Sequence, residues 1–372
     1  MKKILLFFFI LAVTLATVLW MRHGGGEPYP DLTSTPLLSD DGLEEVLSYP
    51  EPIGNIAVSA SGRIFFTVHP ESRPRGNRLL EFVDGAAVPY PDRKSQLQLF
   101  DTVLGVVVDR QNRLWTIDHG NHGVRVARLL AFDLDSSERI HDERFDESIA
   151  PLGSYLQDLQ VSADGRAIVI ADSSIWRKRP AIIVYDIVTA SARRVLEGHP
   201  SVVTEDYRIR SQNREMSFLG GMVSLKAGID GIALGPEWLY FGAISGSRLY
   251  RIRVHDLRDA SLSDTELAAG LERYAGKPLS DGLSIDLEGN VYVTDIEHSA
   301  IFRLGADREP RTLLRSARLR WPDGLSFGPG GWLYIADSAL PDVVLQTREH
   351  IKASGPYHVF RFRPGFDGVA GQ

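Results

Sequence analysis

DGLSIDLEGNVYVTD, residues 281 to 295, can be laid without gaps over four other segments: Asn55 to His69, Leu104 to Asp118, Asp158 to Asp172 and Asp323 to Asp337. A sixth copy, DGIALGPEWLYFGA from Asp230, fits with a turn one residue shorter. Each copy reads as an apolar strand, a Gly/Asp/Asn/Pro-rich turn, and a second apolar strand rich in Val, Ile, Tyr and Trp. The copies start at 55, 104, 158, 230, 281 and 323, leaving room for two more strands before each successor. Hairpins repeated at this spacing are the mark of four-stranded blades. The expected fold is an all-β, six-bladed β-propeller.

Third strands are legible at 78–83, 127–133, 181–186, 248–254, 300–304 and 358–362, and fourth strands at 191–196 and 311–314. The last blade supplies only three strands, while 43–49 (LEEVLSY) stands alone before the first copy. That early strand is expected to complete the last blade and close the ring. Residues 198–229 show no periodicity and read as a long loop. In 256–276, Ser263 followed by Glu266 is a capping box that announces a short helix.

Outside the repeats, residues 1–21 begin with Lys2 and Lys3 and continue from Ile4 to Met21 with only Thr14 and Thr17 polar. A basic start before an apolar run is an export signal, here long enough to border on a spanning helix. With no A-x-A cleavage pattern, an uncleaved membrane anchor is preferred over a cleaved signal peptide. Either way the propeller is placed outside the cytoplasm, periplasmic or secreted, touching the membrane only through this segment. Residues 22–42, with HGGGEPYPDLTSTPL at their centre, read as a linker; the propeller spans 43–364 and a tail 365–372. Of 372 residues, 44% are hydrophobic and 24% charged, the balance of a globular protein, and the net charge of −7 speaks against a nucleic-acid surface. There is no cysteine, so neither a disulfide nor a cysteine-linked lipid is available. A monomer is expected.

The first and last residues of each phrase sit at one end of two antiparallel strands, and the inner strands surround the channel. The channel mouth should therefore collect an inner ring, Asn55, Leu104, Asp158, Asp230, Asp281 and Asp323, and a second ring, His69, Asp118, Asp172, Asp295 and Asp337. Four carboxylates on one axis repel unless they are protonated, hydrogen-bonded or neutralised by a cation. Asp158, Asp230 and Asp281 are the expected ligands if a hard divalent ion such as Ca²⁺ is bound; the alternative is that each Asp caps a loop by accepting backbone N–H bonds. For the second ring, capping is the preferred reading. His69, His119, His122 and His298 would share the mouth, and Trp321 and Trp176 could wall a small-molecule pocket. The expected pocket set is Asn55, Asp158, Asp230, Asp323, Trp321, His69 and His298. No G-x-S-x-G elbow, H-E-x-x-H motif or phosphate-binding glycine loop is present.

VLGVVVDRQNRLWTIDHG with ARLLAFDL, then LQDLQVSADGRAIVIADSS with AIIVYDIVTASARRVLEGHPSV, then GIDGIALGPEWLYFGAISGSRLYRIRVHDLRD, resemble the major royal jelly protein and yellow family in order and spacing over residues 45–363. The resemblance implies a secreted six-bladed propeller with an axial ligand pocket, in a family associated with catecholamine or dopachrome chemistry and with binding of small aromatic amines. Lacking cysteine, this chain is similar to a bacterial member. A more distant resemblance is to gluconolactonase and regucalcin propellers. It implies a divalent cation with Asp281 as ligand and base and Asp230 in place of an Asn ligand, while Asn55 stands where that family has Glu. Three functions stay open: a binding or converting propeller for an aromatic amine or catechol; a metal-dependent lactonase with Asp281 as catalytic base; and a protein-interaction platform.

Overall fold

The computed structural model describes residues 1–372 and contains six four-stranded antiparallel sheets arranged as the blades of a propeller. The inner strands are Ile53–Val58, Val103–Val108, Leu156–Val161, Ile229–Leu234, Leu283–Ile285 and Pro322–Gly328. They are buried throughout, save for the half-buried Asp158, because each blade is sandwiched between two others. The core accordingly lies between blades: one cluster joins Val107, Trp115 and Ile117 of the second blade to Leu156, Leu159 and Ile170 of the third. Such packing buries both faces of sheets that could not bury them alone.

The ring closes as expected. Strand Glu44–Tyr49 pairs antiparallel with Tyr357–Phe362, from Glu44 opposite Arg361 to Tyr49 opposite Tyr357, and completes the sixth blade. The third strands at 127–133, 181–186 and 300–304 fall where periodicity placed them. The capping box also forms: the Ser263 hydroxyl accepts from Glu266 N, and Glu266 returns a bond to Ser263 N, opening the helix Asp264–Ala269.

Two segments differ from expectation. The insertion at 198–229 is not one long loop. It holds two tiny ribbons, Arg210–Ser211 against Arg214–Glu215 and Ser217–Phe218 against Val223–Ser224. With two residues per strand, neither has a readable period; what fixes them is burial of Ile209, Met216 and Ala227 against Ile53, Val68 and Trp321. The segment after the N-terminal helix is not a loose linker either: Glu27–Pro28 pairs in parallel with Tyr207–Arg208, and Leu37 and Leu38 donate to the carbonyls of Thr312 and Leu313. The helix itself, Lys2–His23, exposes every residue but His23 and a few partly covered ones.

At the end of the channel away from the mouth, the C-terminal residues enter it. Gly371 N donates to Phe327 O at 2.8 Å, Phe327 N to Gln372 O at 2.8 Å, and Gln372 Nε2 to Val161 O at 3.2 Å, so the tail bridges the third and sixth blades.

Candidate functional site

All six inner-ring residues, Asn55, Leu104, Asp158, Asp230, Asp281 and Asp323, line one narrow axial cavity of about 20 Å³, room for little more than a single water molecule. What brings them together is a shift of register at or beside the ring residue in five inner strands, between Ile53/Ile56, Val103/Gly105, Leu156/Asp158, Ile229/Ile232 and Pro322/Leu325. Bulges of this kind re-aim side chains. The amides freed from the ladder are satisfied by threonines of the second strands: Asn55 N donates to Thr67 Oγ1 at 3.0 Å and Asp281 N to Thr294 Oγ1 at 3.1 Å. Glycines follow the ring residues because the strands nearly touch. A Cβ on Gly282 would lie 1.9 Å from Asp323 O, on Gly231 2.2 Å from Asp281 O, and on Gly324 2.2 Å from Asn55 Oδ1.

Three of the four carboxylates of this ring are occupied by the protein itself. Asp158 accepts from Leu159 N at 2.9 Å and Ile232 N at 3.3 Å. Asp281 accepts from Trp321 Nε1 at 2.5 Å and Gln157 Nε2 at 3.5 Å, and Asp323 from the Ser338 hydroxyl at 2.9 Å. Asp230 Oδ2 receives no hydrogen bond; burial first, and then the charge of Asp281 beside it, favours its protonated form. Burial pushes all four upward, Asp281 to about 6 and Asp158 to about 7, and together with their neighbours' negative charge it lifts Asp230 and Asp323 well above the carboxylate range. Repulsion is thus relieved by protons and N–H donors. Asp158, Asp230 and Asp281, expected as cation ligands, meet on the axis, but no group of three or more His, Asp or Glu side chains is arranged to hold a metal ion. A donor set already turned toward hydrogen-bond donors and protons does not fit Ca²⁺, which takes six or more oxygens at 2.3–2.6 Å.

Above the ring, a second and larger cavity of about 80 Å³ opens at the mouth, with walls from Tyr155, Trp176, Phe218, Leu225 and Trp321. Gln157 lines both cavities. On one side sits a cluster built by two turns. His69 caps the turn Pro70–Ser72, its Nδ1 accepting from Glu71 N at 3.2 Å. In His119–Gly123, HGNHG, four successive residues are left-handed, with φ of 59°, 51°, 58° and 70° for Gly120, Asn121, His122 and Gly123. Asn121 and His122 are strained there, as residues at functional sites tend to be. The glycines are required, since a Cβ on Gly120 would strike Arg125 O at 2.2 Å and one on Gly123 would strike Pro151 O at 2.5 Å. The outcome is His122 Nε2 at 3.0 Å from Glu71 Oε1, with the imidazole stacked on Tyr155 at 4.6 Å. Burial would raise Glu71, but the hydrogen bond and charge of His122 outweigh it and hold the carboxyl at about 2. Burial drives His69 down to about 4 and holds His119 well below the usual imidazole range, so both are neutral. His119 Nδ1 accepts from His122 N at 2.9 Å, which leaves the proton on Nε2, an atom with no partner. Lys178 also reaches the cavity; burial and the nearby Lys226 lower it to about 8.

Of the residues expected in the pocket, His69 and Trp321 line the mouth cavity, and Asn55, Asp158, Asp230 and Asp323 line the axial one. His298 does neither. It is clamped by Asp295, Nδ1 to Oδ2 at 3.0 Å, and lies 3.7 Å from Asp31 of the N-terminal segment. The second-ring aspartates are caps: Asp118 accepts from Asp101 N, Thr102 N and Gly120 N, Asp172 from Tyr155 N and Ser174 N, and Asp337 from Trp321 N. Glu71, Tyr155 and Lys178 escaped sequence reasoning because they sit in loops between repeats. The glycine-bracketed HGNHG was the signal available.

A family model described as Major royal jelly protein matches residues 101–315. No curated protein matches the chain. Among solved structures, a luciferin-regenerating enzyme superposes with a TM-score of 0.58 at 14% identity, over 88% of this chain and 97% of that one. A regucalcin from Agrobacterium tumefaciens, described as a calcium-binding protein, gives 0.55 at 14% over 88% and 96%. A gluconolactonase from Xanthomonas campestris gives 0.53 at 14% over 86% and 88%. At such identities these likenesses establish the fold alone, and that fold is the one both resemblances implied.

Proposed function

The chain belongs to the major royal jelly protein family, whose model covers more than half of it, and on that premise we propose that it binds a small aromatic amine or catechol in the mouth cavity. The observation that carries this reading is the ionised Glu71 carboxylate at the side of a cavity walled by Trp176, Tyr155, Trp321 and Phe218. Aromatic walls take a flat ring by stacking, and a carboxylate takes its ammonium group. Glu71 spends Oε1 on His122, which leaves Oε2 for the ligand. His122, hydrogen-bonded to that carboxylate, would be the group to exchange a proton with a bound phenol or amine. Lys178 offers a donor to a phenolic oxygen. The axial ring lies beneath as a support: Trp321, a wall of the cavity, is held by Asp281. The propeller would work outside the cytoplasm, as its apolar N-terminal helix suggests.

The test is calorimetric titration with tyramine, catechol and toluene. Tyramine should bind wild type and lose at least tenfold in affinity to Glu71→Gln, while toluene should be indifferent to that change. Equal binding of tyramine by both proteins would remove Glu71 from recognition, and no binding by any of the three would sink the reading.

A further inference from the structure

We propose that the mouth face of the propeller is a membrane-docking surface, seated on anionic lipid headgroups by the retained helix Lys2–His23. The helix has 22 residues, about 33 Å at 1.5 Å per residue, which matches a hydrocarbon core of about 30 Å. None of its most apolar stretch is buried in the protein. A long apolar helix with no protein cover has lipid as its natural surroundings.

The decisive observation is how the chain leaves that helix. It does not pass into a free tether. Lys226 Nζ donates to Gly24 O at 2.8 Å, Ser224 Oγ to Gly25 O at 2.9 Å, and Glu27 N to Asp206 O at 2.8 Å. The Arg22 guanidinium donates to Arg177 O at 3.0 Å, and the His23 ring packs 5.7 Å from Trp176 at the cavity. With the helix in a bilayer, these bonds leave no slack, and the mouth must lie within a few ångströms of the headgroups.

The surface there suits such a neighbour. Trp176, Leu152 and Leu345 are 43%, 71% and 59% exposed, each in a loop at the mouth end of its blade. Indole at a membrane boundary is favoured because its ring is apolar and its N–H is wet. Cations surround them. Arg22, Arg73, Lys178 and Arg348 are bonded to backbone carbonyls and form no ion pair, so their charge is free for phosphate. Cations this close to an anionic surface strengthen its hold on the protein. The opposite end also exposes apolar side chains, such as Val188 and Leu287, but at separate turns and without a helix to bring them to lipid.

Absence of cysteine makes the test direct. Full-length protein carrying Leu152→Cys or Leu287→Cys is labelled with the environment-sensitive dye NBD and reconstituted in vesicles of phosphatidylcholine with one quarter phosphatidylglycerol. Spin-labelled lipids then serve as quenchers. Quenching at 152 several-fold greater than at 287, and reduced in pure phosphatidylcholine or by Arg73→Glu with Arg348→Glu, is the expected result. Equal quenching at the two positions overturns the proposal. So does recovery of the native protein only in a form lacking residues 2–23, judged by intact mass.

Discussion

The indole nitrogen of Trp321 lies 2.5 Å from Oδ2 of Asp281, and this one bond joins the wall of the mouth cavity to the acid ring on the propeller axis. Both side chains are fully buried, so neither has solvent as a substitute partner. Trp321→Phe should lower stability by about 1–3 kcal/mol, the usual result of stranding a buried acceptor. The loss should be larger at pH 8 than at pH 5, because Asp281, at about 6, is ionised only at the higher value. Urea unfolding at both pH values measures it, and equal losses would contradict the bond's role.

The ring should also tilt the dependence of stability on pH. Asp158, Asp230, Asp281 and Asp323 all have folded-state values above the ordinary 3.8. The folded chain therefore keeps protons that the unfolded chain has released. Their stabilisation is complete below pH 3.8 and is lost as pH rises through about 6 and 7. Asp230→Asn mimics the protonated form. Its melting temperature should gain on wild type between pH 5 and pH 8, and parallel curves would show that Asp230 is not the proton holder.

Chelation should change little. Asp158, Asp281 and Asp323 already accept N–H and O–H donors, and burial keeps Asp230 protonated, so melts with EDTA or with added Ca²⁺ should coincide within a degree. A stabilisation of several degrees by Ca²⁺ would reinstate the cation and, with it, assays of lactone hydrolysis.

Gly282→Ala should destabilise by several kcal/mol, because its Cβ would meet a backbone oxygen 1.9 Å away. Gly324→Ala should be milder, since the obstacle at 2.2 Å is the Asn55 amide, a side chain that can turn aside. Gly42→Ala, with nothing within 4 Å, is the neutral control. Melting temperatures in any other order would mean that the inner strands have room to part.

His298→Ala should leave binding of tyramine unchanged, in contrast to Glu71→Gln, since His298 lies with Asp295 and Asp31 away from both cavities. A tenfold loss in the His298 variant would require a different site.

The blades and the ring were legible because one hairpin phrase recurs in register: Asn55, Leu104 and the four aspartates occupy one phase of it, and geometry carries equal phases to equal places. His298 failed for the complementary reason. It follows Asp295 by three residues, and the phase of a repeat says nothing about where a loop residue turns. His122 was placed at the mouth, but that it meets Glu71 and Tyr155, from two other loops of unequal length, depends on packing between blades. The ribbons at 210–224 were invisible because two-residue strands have no period, only burial over the mouth.

The closure strand has a consequence in time. Glu44 meets Arg361 across 317 residues of chain, so a protein made from its N-terminus holds an unpaired strand until synthesis is almost complete. Contacts so distant in sequence form late and slowly. A chain exported helix first would keep that strand waiting beside the membrane while five finished blades accumulate. The last hydrogen bonds to form would then be those that turn an open arc of blades into a ring, and a stalled or shortened chain would be left with two exposed edges.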